Sequence, residues 1–221
     1  MRRRPRRRAE AAAALATLAA IVCGCASSGG GSSARTAAGP DAQRRVARMV
    51  LGNGELPGYV VETAGGERLK AQLAPRRMPR AALADRLIRA SWLASEHSLL
   101  ITPGGSRPTI FSDANLFRDA GAAARIWALE QAPVPGIAVQ RLTAPAGAPP
   151  GASYGELRRG TRSEFEIAWH EGPVIALDVI AVASSPAPPP RVVAAIGAIL
   201  GRAAHTQDGR IVRALEFQSS I

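Results

Sequence analysis

The stretch that decides the fold runs from residue 164 to residue 182 and reads EFEIAWH-EGP-VIALDVIAV. Large apolar residues recur at every second position in its first seven residues, at Phe165, Ile167 and Trp169, which is typical of a strand. Glu171-Gly172-Pro173 then predicts a tight turn. The nine residues that follow are almost continuously apolar, as expected of a strand covered on both faces. The stretch predicts a hairpin whose second strand lies inside a sheet.

Further strands are expected on the N-terminal side of this hairpin. Residues 56–62 indicate a turn that leads into a short strand, and residues 98–102 and 137–142 indicate two more. Residues 145–151 and 186–190 are rich in Pro and Gly and are expected to form loops. The strands therefore occur in several short segments separated by turn signals.

Four helices are expected between and after these strands. Asp41 is a candidate N-cap for a helix that reaches Leu51, and Asp113 is a candidate N-cap for a helix that Pro133 ends. Apolar residues at helical spacing predict a third helix over residues 80–96, which includes Trp92. A fourth is predicted over residues 192–204 by the same spacing.

This order of elements predicts a single α+β domain over residues 41–221. An antiparallel sheet carries helices on its faces, in an α/β/α-type sandwich. Aromatic residues make up only 4% of the chain. The core is therefore expected to consist mainly of aliphatic side chains, with Trp92, Trp127 and Trp169 as its few large members.

The N-terminus has the pattern of a signal peptide. Residues 2–8 contain six arginines, and residues 9–22 form an Ala- and Leu-rich apolar run. That run is too short to span a hydrocarbon core as a helix, which takes roughly 20 residues. Residues 1–24 are therefore predicted to be a cleaved export signal.

Val22-Cys23-Gly24-Cys25 follows the apolar run directly and resembles the lipobox of bacterial, especially actinobacterial, lipoproteins. The resemblance implies that Cys25 carries diacylglycerol and an amide-linked chain such as palmitate, which together anchor the protein durably in a membrane. It places the domain on the outer, extracytoplasmic face of the cell membrane. Alternatives are a conventional cleavage site beside two ordinary cysteines, or twin-arginine export through Arg7 and Arg8.

Residues 25–40 would form the lipidated cysteine and its tether. Beyond Cys25 this segment is mostly Ser, Gly and Ala, the composition of a flexible linker. Both cysteines of the chain precede it. The domain itself therefore has no cysteine with which to form a disulfide.

The formal net charge of +11 raises the question of nucleic-acid binding. Six arginines and one glutamate would leave with the leader, so 22 basic and 16 acidic residues remain. The aromatic residues on which single-stranded bases stack are scarce. Nucleic acid is therefore not expected as a partner. Two basic clusters are candidates for contact with anionic lipid or wall polymer: Arg76, Arg77 and Arg80, and then Arg158, Arg159 and Arg162.

Catalytic patterns are weak. Residues 151–155 match the G-x-S-x-G pattern that presents a nucleophilic serine, here Ser153, and Asp178 and His205 follow in the order of a hydrolase triad. Pro149 and Pro150 stand where a buried strand should deliver that serine, so a glycine-rich turn is the preferred interpretation. An anchored serine hydrolase remains the alternative.

No cofactor or metal is expected. The three histidines His97, His170 and His205 lack the spacing of a zinc site, and His170 is expected to face solvent at the hairpin turn. Asp113, Asp119 and Glu130 are interpreted as capping or solvated residues of one helix.

The globular part loosely resembles uncharacterised actinobacterial lipoprotein domains of the PsbP-like or sensor-like type. The resemblance rests on Phe111-Ser112-Asp113-Ala114, on residues 165–175 and on a closing helix. It implies a binding domain without a shared catalytic residue. The expected function is a non-enzymatic, membrane-anchored protein that binds a small ligand or an envelope protein. A structural spacer without a ligand is a further alternative.

Overall fold

The computed structural model describes residues 39–66, 81–132, 139–183 and 187–219 of the chain. They form a seven-stranded antiparallel sheet in the order β1-β2-β3-β7-β6-β5-β4, with four helices packed on its faces. The elements in chain order are α1 Pro40–Val46, β1 Val60–Gly66, α2 Ala81–Ser91, β2 Trp92–Ile101, β3 Ile110–Phe117, α3 Ala120–Glu130, β4 Val139–Leu142, β5 Ser153–Arg159, β6 Arg162–Glu171, β7 Val174–Ala183 and α4 Pro190–Ser219. The predicted α+β class and antiparallel sheet are confirmed.

The predicted hairpin is β6 and β7, joined by a turn at Gly172, whose φ of 51° suits glycine. The strands pair from Glu171 opposite Val174 to Arg162 opposite Ala183. On its other side β7 pairs with β3. The continuously apolar strand is therefore interior, as predicted.

The two faces of the sheet carry different helices. Even-numbered side chains of β3 and β7, such as Ile110, Ala114, Ala176 and Ile180, pack in a large core beneath α1 and α4. Odd-numbered ones, such as Phe117 and Ile175, pack in a smaller core against α2 and α3. Strand alternation therefore divides the interior between the α4 face and the α2–α3 face.

The tryptophans contribute unequally to these cores. Trp169 is fully buried on the α4 face, where its Nε1 donates a hydrogen bond to Asp208 of α4 at 3.0 Å. Trp92 and Trp127 are only half-buried at the edge of the smaller core.

Two predicted helices have different bounds. The first ends at Val46 instead of Leu51, and its N-cap is Gly39, so Asp41 lies in the first turn and does not cap it. The second ends at Ser91, and Trp92 begins β2. The helical spacing of apolar residues extends to Trp92, so the sequence pattern does not mark the end of the helix. Residues 92–101 instead pair with β1 and β3 as a strand.

The predicted role of Asp113 as a helix cap is wrong. Residues 110–117 form β3 between β2 and β7, and Asp113 lies in the middle of that strand with no exposure. The cap of α3 is Asp119, whose Oδ1 accepts a hydrogen bond from Ala122 N at 2.7 Å. An apolar stretch followed by Asp113 is a local pattern that favours the start of a helix. Hydrogen bonding to a strand on each side stabilises the extended conformation of residues 110–117 instead.

The closing helix is much longer than predicted. It runs for 30 residues, from Pro190 in the first turn to Ser219. Among the described residues, no helix is both long and apolar enough to cross a membrane.

Candidate ligand-binding groove

A groove of about 770 Å³ opens on the α4 face, between the outer strands β4 and β5 and the N-terminal half of α4. Its walls are mainly apolar, with a few polar and charged side chains. Lining residues used below are Leu142, Pro145, Tyr154, Glu156, Arg158, Val193, Gly197, Ala198 and Arg202.

Glycines let the loop before β5 lie directly on the helix. A Cβ at Gly201 would overlap the carbonyl oxygen of Ala146, and a Cβ at Gly197 would come within 3.3 Å of the Tyr154 hydroxyl. Gly147, with φ of 86°, turns the loop at this contact. The close approach seats Pro145 and Ala146 against α4 beside the groove.

Tyr154 supplies the groove with a buried hydroxyl. The side chain is 6% exposed, and its oxygen finds no hydrogen-bond partner among the described residues. Burial, with a smaller contribution from Glu156, raises the pKa of Tyr154 to about 12. The hydroxyl therefore keeps its proton at neutral pH, and no acceptor among the described residues satisfies it.

Glu156 lies beside Tyr154 on the groove wall and is held from two directions. Arg158 donates to both carboxylate oxygens, at 2.8 and 3.0 Å, and Ser163 Oγ donates at 2.8 Å. These bonds, led by that from Arg158, lower the pKa of Glu156 against the opposing effect of burial. Glu156 is therefore an ionised, fully partnered carboxylate.

The predicted loop position of Arg158, Arg159 and Arg162 is wrong. Arg158 and Arg159 end β5, and Arg162 begins β6, with Arg159 opposite Arg162. The tight turn at Gly160, with φ of 59°, brings the strands together. Arg158 is committed to Glu156, so it contributes no uncompensated charge to an anion site.

Arg202 is the groove's uncompensated cation. It projects from α4 into the lining, is exposed, and makes no ion pair within the described part of the chain. The arrangement thus combines an apolar wall, one unpartnered hydroxyl and one positive charge. Such a site is suited to a small amphipathic molecule that carries acceptor oxygens and a negative charge.

Ser153 is the first residue of β5 and does not lie on a strand-to-helix turn. Its Oγ accepts a hydrogen bond from Gln131 Nε2 at 3.3 Å. It belongs to the α2–α3 face, because the adjacent Tyr154 packs in the α4-face core. Gln131 is the only hydrogen-bond partner of this hydroxyl among the described residues.

The other residues of the candidate triad are elsewhere. Asp178 is buried on the α4 face, and His205 is an exposed residue of α4. His170 does not face solvent as predicted: it is half-buried, and its ring stacks on Trp127 with centroids 5.9 Å apart. The structure therefore does not bring Ser153, Asp178 and His205 together.

Asp178 belongs to a row of polar side chains that cross the sheet beneath α4. Asp178 and Ser98 lie opposite Ser112 on its two neighbouring strands, and all three are buried. Ser112 Oγ donates to Gln207 of α4 at 3.0 Å, while both oxygens of Asp178 lack a partner among the described residues. Burial raises the pKa of Asp178 to about 8, and the nearby Asp113 carboxyl adds to the shift.

Two more carboxyl side chains with raised pKa, those of Asp113 and Glu130, lie on the α2–α3 face. Asn115 Nδ2 donates to Asp113 at 2.5 Å, and burial raises the pKa of Asp113 to about 7. Burial, with Glu166 and Asp113 contributing, raises the pKa of Glu130 to about 8. Within the described ranges, no cluster of three or more Asp, Glu, His or Cys side chains has an arrangement that could hold a metal.

Four predicted site residues lie outside the described residues. They are Cys25 and the first basic cluster, Arg76, Arg77 and Arg80.

Sequence reasoning did not find the groove. Tyr154 lies within the G-x-S-x-G stretch and Arg202 within the predicted last helix, and neither pattern indicates a groove. Gly197 and Gly201, spaced four residues apart in α4, were the available signal, because helical glycines at that spacing allow a close backbone contact.

No protein-family model matches the chain, and comparison with curated proteins finds no match.

Proposed function

We propose that this protein is a lipid-anchored, non-enzymatic binding protein on the outer face of the cell membrane. It holds a small amphipathic anion in the groove beside α4. The observation that carries the ligand proposal is the buried Tyr154 hydroxyl, which has no partner among the described residues. An unsatisfied buried hydroxyl costs about 1–3 kcal/mol. A ligand oxygen accepting its hydrogen bond would recover much of that free energy.

The rest of the lining supports the same ligand class. Val193, Ala198 and Leu142 offer apolar contact, and Arg202 offers charge. Glu156 is neutralised by Arg158, so it opposes a ligand anion less than a lone carboxylate would.

Anilinonaphthalene sulfonate is a suitable probe, since it combines an apolar ring system with an anionic group. We expect saturable binding of one molecule, measured by fluorescence and calorimetry on the folded protein. Tyr154→Phe should weaken binding by roughly three- to tenfold, the value of one hydrogen bond. Arg202→Gln should weaken it and reduce its salt dependence.

A matched pair of variants tests the location. Ala198→Trp places a large side chain in the groove, whereas Ala195→Trp places the same side chain on an exposed position of α4 outside the lining. Only the first should abolish binding. Equal effects of the two, or none from Ala198→Trp, would show that the probe binds elsewhere.

The anchor is tested separately, by intact mass and membrane partition of the full chain expressed in a bacterial host. The wild type should lose residues 1–24, gain acyl mass and partition with membrane, whereas Cys25→Ser should do none of these. Two soluble, unmodified proteins would refute the lipid anchor while leaving the groove proposal standing.

A further inference from the structure

A second recess of about 460 Å³ lies at the far end of α4, where that helix meets α1. It is lined by five arginines, and we call these residues together with Phe217 the basic surface: Arg44, Arg45, Arg48, Arg210, Arg213 and Phe217. Asp41 is the only acidic residue in the lining. Arg210 Nε of α4 donates a hydrogen bond there to Arg48 O, in the turn that follows α1, at 2.8 Å.

Part of this charge is neutralised and part is not. Arg44 pairs with Asp41, and Arg210 pairs with Glu55. Arg48 and Arg213 are exposed and form no ion pair within the described part of the chain. The Nε of Arg45 is buried and meets no acceptor among the described residues. The surface therefore keeps a net positive charge and donors for an anionic partner.

Phe217 adds an apolar element. Its side chain is 64% exposed, more than the two other large hydrophobic residues that stand out on the described surface, Val139 and Val60. An exposed aromatic ring bordered by arginines is the combination that settles in the head-group region of a bilayer.

The position of the surface in the chain indicates which anionic partner it meets. Only 14 residues separate Cys25 from Pro40, the first residue of α1. Even fully extended, they span at most about 50 Å. If Cys25 is acylated, as in the proposed function, α1 and the basic surface are confined close to the lipid surface at high effective concentration.

We infer that the basic surface docks on anionic phospholipid head groups of the membrane that holds the anchor. The docking surface and the groove lie at different positions along α4. Gly197 and Arg213 are 16 residues apart on α4, or about 24 Å along the helix axis. The groove and the basic surface are therefore separate regions of the domain, and lipid bound at the basic surface does not occupy the groove.

The test uses the mature chain, residues 25–221 with Cys25→Ser, so that no acyl chain contributes. This chain contains every residue of both cores, which extend from Val46 to Ile211. Co-flotation is measured with vesicles of phosphatidylcholine alone and with about one-third phosphatidylglycerol, at low and high salt. We expect binding to the anionic vesicles only, weakened by salt.

Charge reversal provides the matched comparison. Arg48→Glu/Arg213→Glu should weaken binding at least about tenfold, because each basic residue at the surface contributes separately. Arg118→Glu/Arg125→Glu makes the same change of charge at exposed positions beside and on α3 and should have much less effect. Thermal melting of all three proteins confirms that they are folded.

Equal loss in both double variants would overturn the inference, since it would show dependence on net charge alone. Equal binding to neutral vesicles, or tighter binding to duplex DNA than to the anionic vesicles, would also overturn it. These results do not depend on acylation, so a failed anchor and a failed docking surface are told apart.

Discussion

Asp178 is a carboxyl group in the interior of the sheet, and its burial makes the protein's stability depend on pH. The folded-state pKa is about 8, against about 3.9 for an unperturbed Asp. Between these values the unfolded chain releases a proton that the folded chain retains. The free energy of unfolding therefore falls as pH rises, by up to about 1.4 kcal/mol per pH unit. Asp113, at about 7, acts in the same direction.

We expect the protein to be more stable at about pH 5 than at about pH 8, measured by denaturant unfolding. Asp178→Asn should reduce this slope, because the amide cannot ionise. Glu171→Gln, at an exposed position, should leave the slope unchanged. Rising stability between the two pH values would contradict the assignment of a protonated Asp178.

The α3 helix depends on one side chain at its start. Asp119 Oδ1 accepts the Ala122 N–H, one of the amide groups that no helical carbonyl reaches. Asp119→Ala should reduce the free energy of unfolding by about 1 kcal/mol. Asp119→Asn keeps the acceptor and should cost less, as measured by urea denaturation. An equal loss in the two variants would argue that charge matters more than capping.

Two of the three glycines in α4 have opposite expected responses to the same substitution. At Gly201 a Cβ would overlap the Ala146 carbonyl, so Gly201→Ala should displace the loop beside the groove and cost about 1–3 kcal/mol. At Gly209 the nearest atom is the end of the Arg213 side chain, at 3.5 Å. Gly209→Ala should therefore stabilise the protein by about 0.5–1 kcal/mol.

Thermal denaturation of the two glycine variants checks the signs directly. Binding of the sulfonate probe provides a second readout, because only Gly201→Ala should also weaken it. Stabilisation by both variants would mean that the loop does not lie on the helix as described.

At the scale of the whole molecule, the sheet has a well-protected centre and a weak outer edge. Strands β3 and β7 pair on both sides and are covered by helices on both faces. Strand β4 has four residues, pairs with β5 alone among the described strands, and exposes Val139, Gln140 and Arg141. Local openings therefore require least free energy at β4.

Native-state hydrogen exchange should rank the strands accordingly. Amides of β3 and β7 should exchange only through global unfolding, and those of β4 should exchange fastest. Probe binding in the groove should slow β4 and β5 selectively, since both line it. Uniform protection across the sheet would indicate that the edge is covered in solution.

The sequence by itself determined the strong periodic features: the β6–β7 hairpin, the interior position of β7 and the class of the fold. Local patterns were enough there because alternation and turn residues act over a few positions. They misled at Asp113 and at Trp92, where pairing with neighbouring strands decided the outcome. The signal peptide and the lipid on Cys25 remain predictions from sequence.

Only the tertiary structure decided the sites. Tyr154, Glu156 and Arg202 come from a strand and from a helix far along the chain, and contact between α4 and the sheet places them around one groove. The arginines of α1, of the turn after it and of the end of α4 form one surface for the same reason. Distant residues meet because their segments pack together, and the free energy of that packing depends on the whole core. Periodicity within one segment does not indicate which other segment it packs against.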